Sequence, residues 1–114
     1  MDAAKKRIED INAKFKQQLE NLSQSYENEW DNLMDAQFQE CESIEEMYVR
    51  REISWFGYRR RMRWVEKKHN AEIININKKY TYTHERICSQ HAEEVNEARR
   101  EETQKLINQL GGLL

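Results

Sequence analysis

The stretch ISWFGYRRRMRW, residues 53–64, puts four large aromatic side chains, one glycine and four arginines into twelve consecutive positions. Such a segment suits a bend between two helices, a docking surface on one helix, a nucleic-acid patch or a membrane foot. The sequence around it discriminates among these. Of the 114 residues, 35% are charged, none is proline and only three are glycine (Gly57, Gly111 and Gly112). Mean hydropathy is −1.10. Turns are punctuated by glycine and proline, so the chain has few of them. Disorder is poor in aromatic residues, yet they make up 10% of this chain. What remains is a long amphipathic helical chain that buries one stripe against a partner.

Apolar residues recur at steps of 4, 3 and 4. Ala4, Ile8 and Ile11 lead to Phe15, Leu19 and Leu22, then to Tyr26, Trp30 and Leu33. Gln37, Cys41 and Ile44 follow, then Tyr48, Glu52 and Trp55. Two heptad steps carry the seam through Tyr58, Met62, Val65 and His69. The longer unit then resumes with Ile73 and Ile76, and runs through Tyr80, His84, Ile87, His91, Val95 and Ala98 to Glu102, Leu106 and Gln109. An 11-residue unit averages about 3.67 residues per turn, which lets paired helices run nearly straight. The fold class expected is all-α: one or two long helices forming a coiled-coil-like rod, with any break near Gly57 or within residues 73–83. The second of these, IININKKYTYT, alternates apolar and polar residues like a β-hairpin, but the seam passes through it in phase. Asp2 is expected to cap the start. Gly111 and Gly112 are expected to supply a left-handed C-terminal cap, with an apolar contact between Leu110 and Leu113.

Charge divides the chain into three segments. Residues 1–49 form an acidic arm, in which positions 17–49 hold nine acidic side chains and no lysine or arginine. Residues 50–68 hold eight basic and two acidic side chains, and residues 69–114 are mixed. Glu27, Asp31 and Asp35 stack one turn apart, as do Glu93, Glu97 and Glu101. Such stripes are either solvated or faced by a basic surface. The blocks also permit staggered pairing of copies, acidic beside basic.

On a helix, the opening stretch displays two apolar faces. Trp55, Tyr58, Met62 and Val65 continue the seam, while Ile53, Phe56 and Trp64 lie on another side. One partner helix cannot cover both. A hairpin bend at Gly57 would fold the arms together, but helix–helix turns use a short polar loop and none surrounds Gly57. The segment is therefore expected to be a docking surface. Its partner-binding residues would be Ile53, Trp55, Phe56, Gly57, Tyr58, Arg59, Arg60, Arg61, Arg63 and Trp64. Gly57 would admit a neighbouring backbone, and the arginines would fork onto carboxylates.

No catalytic constellation, cofactor site or metal site is expected. His84, Cys88 and His91 share a helix face, but three positions on one helix do not preform the tetrahedral cage zinc needs. Their seam positions make structural roles the stronger reading. No phosphate-cradling glycine loop and no nucleophile–base pair occurs. The first residues, MDAAKKRIED, lack the apolar core of a signal peptide. Two cysteines without framework spacing suggest a reducing cytoplasmic setting.

The expected function is a non-enzymatic structural or scaffolding subunit of a larger intracellular assembly. A cytoskeletal or ciliary filament with an acidic surface is the first expectation, by analogy with other helical scaffolds. The expected partners are other coiled-coil helices, in self-association or hetero-assembly. The alternative is a helical protein that binds nucleic acid or a membrane surface through residues 50–68. An acidic balance, with an isoelectric point near 6.0, weighs against nucleic acid.

Overall fold

The computed structural model describes residues 2–113, and side chains from Ala3 to Gly112. The chain is all-α. Helix α1 spans Asp2–Val49 (48 residues) and α2 spans Trp55–Leu113 (59 residues). Among the described residues there is no strand, and residues 73–83 lie inside α2. With no proline and almost no glycine, nothing within either arm interrupts the helical hydrogen bonds.

The single break falls at residues 50–54, upstream of Gly57. Its construction explains why glycine is not its marker. Arg51 adopts φ 60°, the left-handed conformation that normally selects glycine after a helix. The Glu52 amide donates to the Met47 carbonyl at 2.9 Å, and the Arg51 amide to the Tyr48 carbonyl at 3.0 Å. These two bonds close a Schellman motif, with arginine where glycine is usual. Ser54 then caps α2: its Oγ accepts from the Gly57 amide at 3.1 Å, and its carbonyl accepts from the Tyr58 amide at 2.8 Å. The short polar loop that a helix–helix connection requires is Arg50-Arg51-Glu52, three residues ahead of the aromatic cluster. The break thus lies near Gly57, as expected, but it is the hairpin turn that the sequence argued against, because the polar loop sits ahead of Gly57 and not around it; the expected C-terminal glycine cap is corrected. Gly111 and Gly112 lie within α2 and neither has positive φ. The side chains of Asp2 and Leu113, expected in the caps, lie outside the described residues.

The two helices pair in two units, Ser23–Thr81 and the remainder of α1 with the remainder of α2. In the Ser23–Thr81 unit the helices run antiparallel on either side of the turn. Lys79 bridges Glu29 at 2.7 Å and Lys68 bridges Glu40 at 2.8 Å. These pairs are eleven residues apart on both helices, the length of the repeat. The Tyr26 ring lies 4.7 Å from that of Tyr80, and its hydroxyl donates to Asn77 Oδ1 at 2.7 Å. Ile44 and Val65 are buried at 8% and 3% exposure, with His69 at 6%.

In the other unit Arg7 pairs with Glu101, and Lys14 with Glu94 at 3.1 Å. His91 stacks on Phe15 with ring centroids 4.0 Å apart. Ile87 and Ala98 are buried. Every seam position from Ala4 to Ile44, and from Tyr58 to Glu102, is buried or half-buried. Leu106 and Gln109 are exposed. Most seam side chains are only half-buried because each helix has one partner, which covers one side of a stripe.

Candidate protein-interaction surface

The aromatic–arginine segment begins in the turn and occupies the first turns of α2. Ser54 fixes where the helix starts, and the helical period then sorts the rings. Tyr58 points inward, its ring 5.0 Å from that of Tyr48 on α1. Trp55, Phe56 and Trp64 point outward, with 48%, 75% and 61% of their surface exposed. Trp55 and Phe56 meet edge to face at 5.2 Å and 77°, an arrangement that suits the ring quadrupoles. Folding the arms together therefore covers only one of the four rings.

The arginines divide in the same way. Arg59 sits over the Trp55 ring at 5.1 Å, and Arg61 donates from Nη1 to Met47 Sδ at 3.5 Å. Trp55, Phe56, Arg59, Arg60, Arg63, Trp64 and Lys67 line a shallow groove of about 600 Å³. On its other side, Trp64 borders a second depression of about 810 Å³ with Ile44, Met47, Arg61, Val65 and Lys68. Trp64 is thus a ridge between two hollows. Lys68 steadies it from 5.2 Å while bridging Glu40. That link holds the Lys68 ammonium above its ordinary pKa, chiefly through the hydrogen bond to the Glu40 carboxylate.

Among the described residues, none of Arg59, Arg60, Arg61, Arg63 and Lys67 forms an ion pair. The groove therefore presents uncompensated positive charge beside exposed aromatic surface. Arginine and tryptophan are the residues most enriched in binding hot spots. Apolar patches rimmed by polar groups on a small chain mark interaction sites.

Two of the expected surface residues have particular places in the chain. Gly57 is an ordinary helical residue in the first turn of α2 and does not kink it. A Cβ placed on it would stand 3.4 Å from Ser54 Oγ and 3.7 Å from Ile53 Cβ, ordinary contact. Ile53 belongs to the connecting turn and is half-buried. Lys67 and Lys68 also belong to the surface. Their spacing from Trp64, one helical turn, was the signal for them.

The remaining clusters organise little. His84 Nδ1 lies 3.8 Å from Cys88 Sγ, whereas His91 is turned away to Phe15 and to Asn12, 2.8 Å from its Oδ1. Among the described residues no three His, Cys, Asp or Glu side chains converge as metal ligands. Glu27, Asp31 and Asp35 are exposed and, among the described residues, form no ion pair. Glu101 of the second stripe pairs with Arg7. Burial and the carboxylates of Glu45 and Glu40 raise the Cys41 thiol pKa, which keeps it protonated and unreactive near neutrality. Among the described residues no helix is long and apolar enough to cross a membrane. Compared with protein families, curated proteins and solved structures, the chain finds no match in any of the three.

Proposed function

We propose that the chain is a non-enzymatic structural subunit that docks a protein partner through the face formed by Trp55, Phe56, Arg59, Arg60, Arg63 and Trp64. The observation that supports this most directly is the outward position of Trp55, Phe56 and Trp64 beside unpaired arginines after the helices have paired. Exposed rings gain roughly 25 cal/mol per Å² when covered. The cations around them select a partner that carries carboxylates. An acidic cytoskeletal or ciliary filament surface in the cytoplasm is a partner of that kind. Helices with a repeated seam suit a spacer or scaffold, whose output is the position of what it binds.

The test is capture of the full-length tagged chain from its own cells. Phe56→Ala and Trp64→Ala should each deplete the co-purifying proteins at least tenfold, the loss of a hot spot of about 2 kcal/mol, while circular dichroism stays unchanged. Unaltered capture by both variants refutes the docking face. The same cations support a second reading, a nucleic-acid or anionic membrane surface. That reading requires binding to duplex or acidic vesicles that falls steeply with salt and persists near physiological ionic strength.

A further inference from the structure

The exposed side of α2 continues well beyond the aromatic segment. Within the Ser23–Thr81 unit, the helical period places Phe56, Arg60, Arg63, Lys67, Ile74 and Lys78 on one face, roughly opposite the seam. Trp64 lies at its margin. All are exposed, and among the described residues none forms an ion pair. The acidic residues of this part of α2, Glu66 and Glu72, lie on other sides. Helix α1 carries a counterpart. Glu27, Asp31, Asp35, Glu42 and Glu45 share a face with Phe38 and Val49, rotated about 120° from the seam. These residues too are exposed and, among the described residues, form no ion pair, and α1 has no lysine or arginine from Ser23 to Val49. Phe38 and Val49 expose 68% and 78% of their surface.

Each face thus interleaves charges of one sign with two or three exposed apolar side chains. Glu27 to Val49 and Phe56 to Lys78 also cover the same number of residues, about 33 Å of helix each. Two faces matched in length and opposite in charge, each carrying exposed apolar side chains, are complementary to each other. They cannot meet within one chain, because α2 already presents its seam to α1.

We infer that the occupant of the aromatic–basic face of α2 is the acidic face of α1 from a second copy of this chain. The inference rests on the docking reading above and names its partner. The contact is heterologous. A copy seated on the far side of α2 cannot place its own α2 on the acidic face of the first copy, because that face belongs to the other helix and points elsewhere. Each added copy therefore leaves one acidic and one basic face open. Such contacts generate rings or open filaments rather than closed dimers.

The full-length chain is measured by sedimentation velocity over a range of concentration and salt. Wild-type protein is expected to grow beyond a dimer as concentration rises, and to shrink as salt screens the charges. Two triple variants test the pairing: Arg60→Glu/Arg63→Glu/Lys67→Glu and Asp31→Lys/Asp35→Lys/Glu42→Lys. Each alters only exposed positions with residues of good helix propensity, so helicity should persist and circular dichroism checks it. Each variant alone has like charges on both faces and should sediment as a monomer. An equimolar mixture restores opposite faces and should recover assembly. Monomeric wild-type protein, variants that assemble as wild type does, or a mixture that stays monomeric each overturn the inference. If the wild type is monomeric while Trp64-dependent capture of another protein persists, self-assembly falls and the docking proposal stands. If capture is also indifferent to Phe56 and Trp64, both fall.

Discussion

Replacing Ile44 should cost far more stability than replacing Phe56, although Phe56 is the larger side chain. Ile44 is 8% exposed in the α1–α2 seam. Ile44→Ala removes three buried carbons, about 2.4 kcal/mol at roughly 0.8 kcal/mol each. A residual cavity adds to this, while the better helix propensity of alanine returns about 0.4 kcal/mol. The net expectation is a loss of about 2 to 3 kcal/mol. Phe56 is 75% exposed, so only about a quarter of its surface is withdrawn from water. For a phenylalanine of roughly 200 Å² that is near 50 Å², or about 1.2 kcal/mol at most. Alanine keeps part of this contact and gains helix propensity, so Phe56→Ala should cost under about 1 kcal/mol. Urea unfolding followed by circular dichroism, at a low protein concentration and a salt concentration that keep the chain monomeric, separates the two. Ile44→Ala should lower the midpoint clearly with little change in slope, and Phe56→Ala should barely move it. If Phe56→Ala destabilises the chain as much as Ile44→Ala, the rings are structural and the outward docking face is wrong.

Three further expectations concern the turn and the titrating groups. Arg51→Gly should stabilise the fold by up to about 1 kcal/mol, because Arg51 occupies a left-handed conformation that glycine adopts without strain; an Arg51→Val variant, measured in the same urea series, should lose stability. Ser54→Ala should cost about 1 kcal/mol by removing the cap on the Gly57 amide, and Ser54→Asp should restore it, since the first turn of α2 has no acidic residue. The raised pKa values of Cys41 and Lys68 both mean that the unfolded chain releases these protons first as pH rises. Their contribution is complete below about pH 8.5 and is lost through the alkaline range, first for the thiol and then for the ammonium; urea midpoints that rise above that pH would contradict it. Native-state alkylation of Cys41 should correspondingly be slower than alkylation of the unfolded chain.

Much of this fold was legible because its signal is periodic. The spacing from Ala4 through Leu33 to Ile44, and from Tyr58 to Glu102, identifies the covered stripe whatever helix lies across it. The reversal was not legible, because its determinant is one backbone dihedral. Arginine at position 51 carries no turn propensity of the kind that marks glycine or proline. Gly57 is the conspicuous residue of this region by its neighbours, yet its backbone is ordinary. The aromatic segment was recognisable by composition. How its rings divide was not, because the division depends on Ser54 setting the phase of α2, with Tyr58 inward and Trp55, Phe56 and Trp64 outward. The acidic stripe of Glu27, Asp31 and Asp35 was visible as a solvated or partnered face, and only pairing of the helices shows which cations are left to meet it.

An 11-residue repeat has a further consequence for the Ser23–Thr81 unit. Sliding α1 past α2 by one whole repeat lays seam on seam again. The ion pairs do not forbid such a slip, since they stand eleven residues apart on both helices. Glu29 would simply exchange Lys79 for Lys68. What opposes it is the connection, whose five residues, 50–54, would have to give up the Schellman bonds and the Ser54 cap and stretch almost fully to absorb the added offset of about 16 Å. The Schellman bonds at Met47 and Tyr48 and the Ser54 cap thus act as a ratchet pawl on an evenly toothed rack. Repetition supplies the grip, and one short irregular segment decides which tooth is engaged. Lengthening that segment with flexible residues would turn a single alignment into a ladder of them.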